Sequence, residues 1–138
     1  MALLEKQLRI KRSTIPEAGK GLFTKEFIAR GTRIVEYKGK ILTWKEVQQQ
    51  KGFNGYVYYI NRNRVIDAKN YKKTFSRFAN DANGINKIKG VKNNCRYEID
   101  GHKVFIEAIT DIQPGSELFV SYGKEYWNVI RYNNKLGL

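Results

Sequence analysis

The chain has 138 residues, of which 41% are hydrophobic and 28% are charged. This length and composition predict one globular domain, residues 1–138, that buries a core without disulfides or metal ions, and they exclude a disordered chain. The single cysteine, Cys95, and the single histidine, His102, exclude an internal disulfide framework and a zinc site built from cysteine or histidine clusters. The formal net charge of +13 favours acidic partners, such as nucleic acid or nucleoprotein, unless it is only a solvated cationic surface.

Charged side chains interrupt the apolar residues near the N-terminus: Glu5, Lys6, Arg9, Lys11 and Arg12. The stretch therefore does not have the pattern of a secretory signal peptide, and no segment has the apolar length that spans a membrane. We expect an intracellular protein, cytoplasmic or, in a eukaryote, nuclear.

Short extended segments dominate the predicted secondary structure. Aromatic, β-branched or alternating runs predict strands at residues 8–11, 32–37, 40–42, 56–60, 65–67, 95–99, 103–108 and 117–121. The dipeptide Asp100-Gly101 predicts a hairpin turn between two of these strands. Residues 44–51 form a short amphipathic pattern after Thr43, a candidate N-cap, and residues 75–80 predict one or two helical turns. The pattern predicts a mostly β protein with one or two short helices.

Four motifs follow one another along the chain. The first is Gly19-Lys20-Gly21-Leu22-Phe23, the second spans residues 56–68, and the third is Arg77-Phe78-Ala79-Asn80. The fourth joins Pro114-Gly115-Ser116-Glu117-Leu118 to Ser121-Tyr122-Gly123, and Tyr126-Trp127 follows it. In this order and spacing the chain resembles the SET-domain protein lysine methyltransferases, from about residue 19 to residue 127. It is closest in kind to their minimal viral and bacterial members.

The resemblance implies a SET-domain fold of several small β-sheets with a C-terminal pseudoknot. In that pseudoknot the segment holding Tyr122 passes under a loop from the region of Asn80. The resemblance also implies S-adenosylmethionine as the methyl donor, S-adenosylhomocysteine as the product, no metal, and a lysine-containing protein as the substrate. Relatives often carry a zinc-binding, cysteine-rich tail after the domain, and we expect none here.

Methyl transfer requires a neutral lysine amine, whereas the ordinary pKa of lysine is roughly 10.4. A narrow channel walled by tyrosines removes water from the amine, which lowers its pKa by up to roughly 3–5 on full burial, and aligns it with the methyl group. By resemblance, the catalytic residues are Tyr122, with its hydroxyl at the transfer point, and Tyr56. The residues implied at the cofactor are Gly19, Lys20, Gly21, Leu22, Arg77, Phe78, Asn80, Asp81, Tyr122 and Trp127. Those implied along the lysine channel are Tyr56, Val120, Tyr122 and Tyr126.

Several of these residues also fit plainer roles. These roles are an ordinary turn for the glycine motif, a structural ion pair for Arg77, strand packing for Tyr56, and C-terminal packing for Tyr126 and Trp127.

The sequence departs from the family pattern at Asp81, which stands where relatives usually have histidine. In relatives that histidine contributes mainly through its backbone near the adenine, a role that Asp81 could keep, but the substitution puts cofactor affinity and adenine stacking in question. Val120 stands where many relatives carry a larger aromatic residue, and its small side chain predicts di- or trimethylation. Asn86 matches a later asparagine of the family motif and is predicted to pin the pseudoknot loop.

Acidic residues receive two predictions. Asp67, Glu107 and Glu117 are predicted to be structural partners rather than general bases. A cationic histone tail would need a locally acidic groove on this basic protein, for which the candidates are Glu98, Asp100, Glu107 and Asp111.

Two further functions compete with methyl transfer. One is a catalytically weak SET-like module that binds nucleic acid or nucleoprotein through its positive charge. The other is a basic, aromatic β-barrel that binds single strands by base stacking.

Overall fold

A computed structural model describes residues 3–50, 56–69, 75–83 and 88–122. Within these ranges the chain is mostly β, as predicted. The strands are β1 (Leu8–Arg12), β2 (Lys20–Thr24), β3 (Arg33–Glu36), β4 (Lys40–Leu42), β5 (Val57–Asn61), β6 (Arg64–Asp67), β7 (Cys95–Asp100), β8 (Lys103–Ala108) and β9 (Glu117–Leu118). The helix α1 is Trp44–Gln48, and short 3-10 turns occupy Glu5–Gln7 and Ser76–Phe78.

The described strands form three antiparallel sheets of three strands each. Their strand orders are β1-β2-β9, β3-β8-β7 and β4-β6-β5. Separate three-stranded sheets do not make a closed barrel, so the alternative of a strand-binding β-barrel is wrong.

Local sequence signals account for the hairpin and the helix. Strands β7 and β8 pair as predicted, with Asp100 opposite Lys103 and Gly101 at a φ of 61° in the turn. Helix α1 begins after Thr43, whose Oγ1 accepts a hydrogen bond from the Glu46 amide (3.2 Å), while the Glu46 carboxylate accepts one from the Thr43 amide (3.0 Å). This reciprocal capping box fixes the start of the helix, which ends earlier than predicted, at Gln48.

A central cluster of buried side chains joins the first two sheets. Its members are Leu8, Leu22, Ile28, Ile34, Val35, Ala79, Cys95, Ile106, Ala108, Ile112, Leu118 and Val120. Strand β2, which the sequence did not predict, supplies Leu22 to this cluster. Two glycines next to Lys20 weaken its strand pattern, because glycine has no side chain to pack on a sheet.

The last predicted strand is much shorter than expected, because the chain changes partners after Leu118. Residues 119–122, here called the threaded segment, run between the two ends of the loop 81–94. Phe119 forms a parallel bridge with Asn80, and Val120 forms one with Cys95. The Val120 amide donates to the Asn80 carbonyl (2.8 Å), and the Cys95 amide donates to the Phe119 carbonyl (2.9 Å). This crossing is the pseudoknot arrangement that the resemblance implies.

No helix in the described part of the chain combines the length and the apolarity needed to cross a lipid bilayer.

Candidate active site

The glycine motif lies at the start of β2, beside Asn80. The Asn80 side chain donates through Nδ2 to the Lys20 carbonyl (3.0 Å). Gly19 has a φ of +73°, and no non-adjacent described residue has an atom within 4 Å of the place a Cβ would occupy, so nothing in the described structure fills this end of the motif. Lys20 is exposed, whereas Leu22 is fully buried and packs in the central cluster.

Gly21 is required for a different reason from the predicted approach of a ligand. A Cβ at this position would overlap Oε2 of Glu117, a buried carboxylate on the neighbouring strand β9. Glu117 accepts hydrogen bonds from Ser13 Oγ (2.7 Å) and from the amide and Oγ1 of Thr14 (2.8 and 2.7 Å). Asn80 Nδ2 is a further donor at 3.3 Å. Glu117 is therefore a structural partner, as predicted, and Gly21 makes room for it.

Arg77 and Phe78 belong to the 3-10 turn that precedes Asn80. The guanidinium of Arg77 donates through Nη1 to the Lys69 carbonyl (2.8 Å), and its Cζ lies 4.6 Å from the ring centroid of Phe78 and 5.4 Å from that of Tyr56. Its buried Nε has no acceptor among the described residues. In the described part of the chain Arg77 forms no ion pair, so its role is not the structural ion pair considered from the sequence.

Tyr122 ends the threaded segment and is held at both of its ends. Its hydroxyl donates to the Ala79 carbonyl, and its backbone amide donates to Oδ2 of Asp81 (2.9 Å). Between these contacts, the Asn80 carbonyl accepts from the Val120 amide. Three consecutive residues, 79–81, therefore fix the position of the tyrosine that the sequence assigns to catalysis.

A group of three tyrosines, here called the tyrosine cluster, lies beside Tyr122 and was missed by the sequence analysis. Its members are Tyr37, Tyr58 and Tyr97, and the ring centroid of Tyr97 is 5.7 Å from that of Tyr37 and 4.9 Å from that of Tyr58. The Tyr37 hydroxyl donates to the Tyr56 carbonyl (2.7 Å). Tyr97 and Tyr122 each follow the Cys95–Val120 bridge by two residues, and both pack against the central cluster.

Tyr37 is buried, and Tyr58 and Tyr97 are partly buried. Burial raises the pKa of Tyr97 well above its ordinary value, and the nearby Tyr122, Tyr37, Tyr58 and Asp81 add to the rise. Burial also raises the pKa of Tyr58, with a smaller contribution from the charge of Glu98. The tyrosines are therefore neutral hydrogen-bonding groups in an environment that disfavours charge.

The remaining predicted site residues fall into three groups. Tyr56 is 39% exposed and contacts Arg77 through its ring face. Val120 has no exposed surface and lies inside the central cluster rather than beside open space. Tyr126 and Trp127 lie outside the described residues, so their roles stay predictions. Asn86 also lies outside them, and Asn94 makes the pinning contacts: its side chain donates to the Glu117 carbonyl (2.9 Å) and accepts from the Phe119 amide (2.8 Å).

The acidic residues considered for a groove are matched by arginines or by the backbone. Glu107 contacts Arg33 (2.8 Å) and Arg96 (3.6 Å), because the strand registers place both arginines opposite it. Asp100 contacts Arg33 (3.0 Å) and Glu98 contacts Arg96 (3.4 Å). Asp111 accepts from the Arg30 amide (2.9 Å). Glu107 is a structural partner, as predicted, and the role of these acids in an acidic groove stays a prediction.

Among the described residues, no three His, Cys, Asp or Glu side chains are arranged to hold a metal ion. Cys95 is buried beside Val120, and burial raises the pKa of its thiol to about 12. Its thiol is therefore an inert part of the core at neutral pH.

Comparison with known proteins gives the same family as the motifs. A family model of the SET domain matches residues 19–123, which include the glycine motif, Asn80 and Tyr122. A search of curated protein sequences gave no significant match. Among solved structures, the methyltransferase domain of human PR domain-containing protein 2 has a similar fold, with a TM-score of 0.63 and 23% sequence identity over 86% of this chain and 78% of that chain. The chain belongs to the SET-domain family of methyltransferases.

Proposed function

We propose that the chain is a protein-lysine N-methyltransferase that uses S-adenosylmethionine. The observation that carries this proposal is the position of Tyr122, which residues 79–81 hold beside the partly buried tyrosine cluster and close to the glycine motif. Tyrosines in such a place suit a reaction in which a lysine must lose its proton and its water before it attacks.

The residues around Asn80 suit the amino-acid end of the donor. The side-chain Oδ1 of Asn80 accepts no hydrogen bond within the described part of the chain, so it can accept one from an ammonium group. The unmatched Nε of Arg77 is a donor close by in sequence, and the open space at Gly19 leaves room for the ligand. When bound, S-adenosylmethionine supplies an electrophilic methyl group on a sulfonium.

The chain's own side chains then have two tasks. The tyrosine cluster packs with Ile66, Ala68 and Val104, and this partly desolvated wall would lower the pKa of an entering lysine and favour the neutral amine. The Tyr122 hydroxyl, which donates to the Ala79 carbonyl, would lend weak C–H···O contacts to the methyl group of a bound donor. Alignment of the amine with the methyl group supplies much of the rate.

The test combines cofactor binding with turnover. We expect calorimetry to show S-adenosylmethionine binding and radiolabelled methyl to be transferred from it to lysines of proteins in a cell lysate. Tyr122→Phe should fold normally, as judged by circular dichroism, and lose at least about 100-fold in turnover. Tyr59→Phe is the matched control, because Tyr59, on strand β5 of the third sheet, is 48% exposed and packs against Trp44 of helix α1.

Two results would contradict the proposal. The absence of both cofactor binding and methyl transfer in the wild-type protein would remove the enzymatic function. Wild-type turnover in Tyr122→Phe would remove the role given to Tyr122.

The number of methyl groups added is a separate part of the proposal. Val120 lies in the central cluster, against which Tyr122 packs, and takes less volume there than the aromatic residue of many relatives, which favours di- or trimethyl-lysine. Mass spectrometry of the product at saturation distinguishes the states, and monomethyl-lysine alone would contradict this part.

A second candidate function, association with nucleic acid, is favoured by one specific surface. Between residues 6 and 25 the chain has six cations and a single acid, Glu17. The six, here called the cationic ribbon, lie on and around strands β1 and β2: Lys6, Arg9, Lys11, Arg12, Lys20 and Lys25. None of them forms an ion pair in the described structure, in contrast to Arg33 and Arg96.

The cationic ribbon fits a phosphate backbone better than it fits stacked bases. Arg9 and Lys11 lie on one face of β1, and Arg12 pairs with Lys20 across the strands. The aromatic ring of this surface, Phe23, is buried and covered by Lys11, whose Nζ is 4.4 Å from the ring centroid. A duplex bound here would bring nucleic-acid-associated proteins to the enzyme as substrates.

Charge-matched variants test this association. We expect Arg9→Ala/Lys11→Ala/Arg12→Ala to lower affinity for a 20-bp DNA duplex and to reduce the slope of log affinity against log salt by about 2 to 3. The control variant Lys40→Ala/Lys45→Ala/Arg62→Ala has the same net charge and should keep most of the slope. Equal losses in both variants would show that net charge alone attracts DNA.

A further inference from the structure

We propose that Asp81 is a positioning residue that sets the place of Tyr122, a role that rests on the proposed methyltransferase function. Asp81 stands where relatives usually have histidine, a change that puts cofactor binding in question. The structure gives the carboxylate a partner on the catalytic tyrosine itself.

Asp81 is a nearly buried carboxylate, 5% exposed, and its donors include three groups of the described residues. Oδ2 accepts from the backbone amide of Tyr122 (2.9 Å). Oδ1 accepts from the Asn83 amide (2.8 Å) and from Asn93 Nδ2 (3.0 Å). One side chain therefore links the start of the loop, the end of the loop and the threaded segment.

Asn93 joins the two described ends of the loop. Its Oδ1 accepts from the Ala82 amide (2.8 Å), while its Nδ2 donates to Asp81. These bonds link residues 81–82 to Asn93 independently of the contact to Tyr122. The Tyr122 amide binds the other carboxylate oxygen, Oδ2, which these loop bonds do not use.

The contact acts on the part of Tyr122 that the neighbouring residues do not fix. The Ala79 carbonyl holds the phenol and the Asn80 carbonyl holds Val120, two residues before Tyr122. Asp81 holds the main chain at Tyr122 itself. A buried carboxylate binds a backbone amide more strongly than a neutral acceptor does, because the bond is charge-assisted.

The negative charge of Asp81 also extends to the tyrosine cluster. It contributes to the raised pKa of Tyr97, after the larger effects of burial and the other tyrosines. Asp81 therefore lies close enough to Tyr97 to raise its pKa, and its effect on a substrate amine would pass through Tyr122 and Tyr97.

The experiment compares Asp81→Asn with Asn93→Ala. An asparagine at 81 keeps the size of the side chain and one acceptor for the loop, but turns an amide N–H₂ group toward the Tyr122 amide. Asn93→Ala removes the loop bonds of Asn93 and leaves the carboxylate of Asp81 on Tyr122. We expect Asp81→Asn to lower kcat by about tenfold or more, with the KM for S-adenosylmethionine within about threefold of wild type. Asn93→Ala should lower the melting temperature by as much as Asp81→Asn does, but its kcat should stay near that of the wild type.

A measurement that needs no turnover accompanies the kinetics. Amide hydrogen exchange of wild-type protein should show strong protection at Tyr122, because its N–H is bound by a buried carboxylate. Asp81→Asn should lose that protection and Asn93→Ala should keep it. If the proposed function fails, no variant transfers methyl groups, yet the exchange pattern still tests the contact.

Three outcomes overturn the inference. They are fast exchange at Tyr122 in the wild type, wild-type kcat in Asp81→Asn, and equal losses of kcat in Asp81→Asn and Asn93→Ala. If Asp81→Asn does not fold, the wild-type exchange rate and the kcat of Asn93→Ala remain decisive.

Discussion

The two glycines on either side of Lys20 meet different requirements. Gly19 adopts a left-handed φ of +73° in open space, which suits the predicted approach of a ligand. Gly21 instead lies against the carboxylate of Glu117, where any side chain would collide. A sequence motif read as one functional unit thus combines a residue free to face a ligand with a residue fixed by the fold.

Gly21→Ala should therefore destabilise the protein by about 2–3 kcal/mol, because the new methyl displaces a buried carboxylate that accepts bonds from Ser13, Thr14 and Asn80. Gly19→Ala is the control, and should cost only about 1 kcal/mol from its left-handed backbone. Urea unfolding monitored by tryptophan fluorescence measures both values. A Gly19→Ala cost equal to or above that of Gly21→Ala would contradict the steric argument.

Single residues with a family motif were predictable, and residues brought together by the fold were not. Asn80 and Tyr122 stand in recognisable motifs, and the structure places both at one site. Tyr97 stands in a strand pattern with no motif around it. Its closeness to Tyr122 comes from the parallel bridge between Cys95 and Val120, which no local pattern contains.

Elements with a local cause were predicted well. The β7–β8 hairpin follows from Asp100-Gly101, and the start of α1 follows from Thr43 and Glu46. Strand β9 was predicted too long, because contacts with residues distant in sequence take over after Leu118. The pseudoknot was expected only from the family resemblance, since threading is absent from nearly all folds.

Asn94 stabilises the threaded segment by bonding to both Glu117 and Phe119. Asn94→Ala removes two part-buried hydrogen bonds, one to the Glu117 carbonyl and one from the Phe119 amide. The loss should cost about 2–3 kcal/mol, because both backbone groups lose their side-chain partner inside the fold. Asn61→Ala is the control, since Asn61 accepts only a local bond from the Asn63 amide in an exposed turn (2.9 Å).

Urea unfolding of the two variants provides the measurement. A cost for Asn94→Ala within about 0.5 kcal/mol of that for Asn61→Ala would show that the threaded segment holds without Asn94.

In the described part of the molecule the cations are exposed or partly exposed, while two carboxylates, Asp81 and Glu117, are buried and hydrogen-bonded. Arg33 and Arg96 are matched by acids across the β3-β8-β7 sheet. Inside, the described titratable groups include Cys95, Tyr97 and Tyr58, which are held in their neutral forms. High pH should therefore have two opposite effects on stability, one from ionisation of these core groups and one from loss of charge on the surface lysines.

The interior effect is destabilising, and its sign follows from the pKa values. Burial raises the pKa of Cys95 from its ordinary value of 9.0 to about 12. The folded protein keeps this proton when the unfolded chain has already released it. The contribution of the thiol to stability is therefore complete below about pH 9 and is lost as the pH rises from 9 to 12. The raised pKa values of Tyr58 and Tyr97 act in the same direction at higher pH.

The surface effect is stabilising over part of the same range, because lysines lose their charge near pH 10.4 and their mutual repulsion falls. The comparison of wild type with Cys95→Ala cancels that effect, since both proteins carry the same lysines. We expect the stability advantage of the wild type over this variant, measured by urea unfolding, to be constant from pH 7 to pH 8.5. Between pH 9 and pH 12 it should fall by up to about 1.4 kcal/mol per pH unit. An advantage that stays constant up to pH 11, or that grows, would show that the Cys95 thiol titrates as freely in the folded protein as in the unfolded chain.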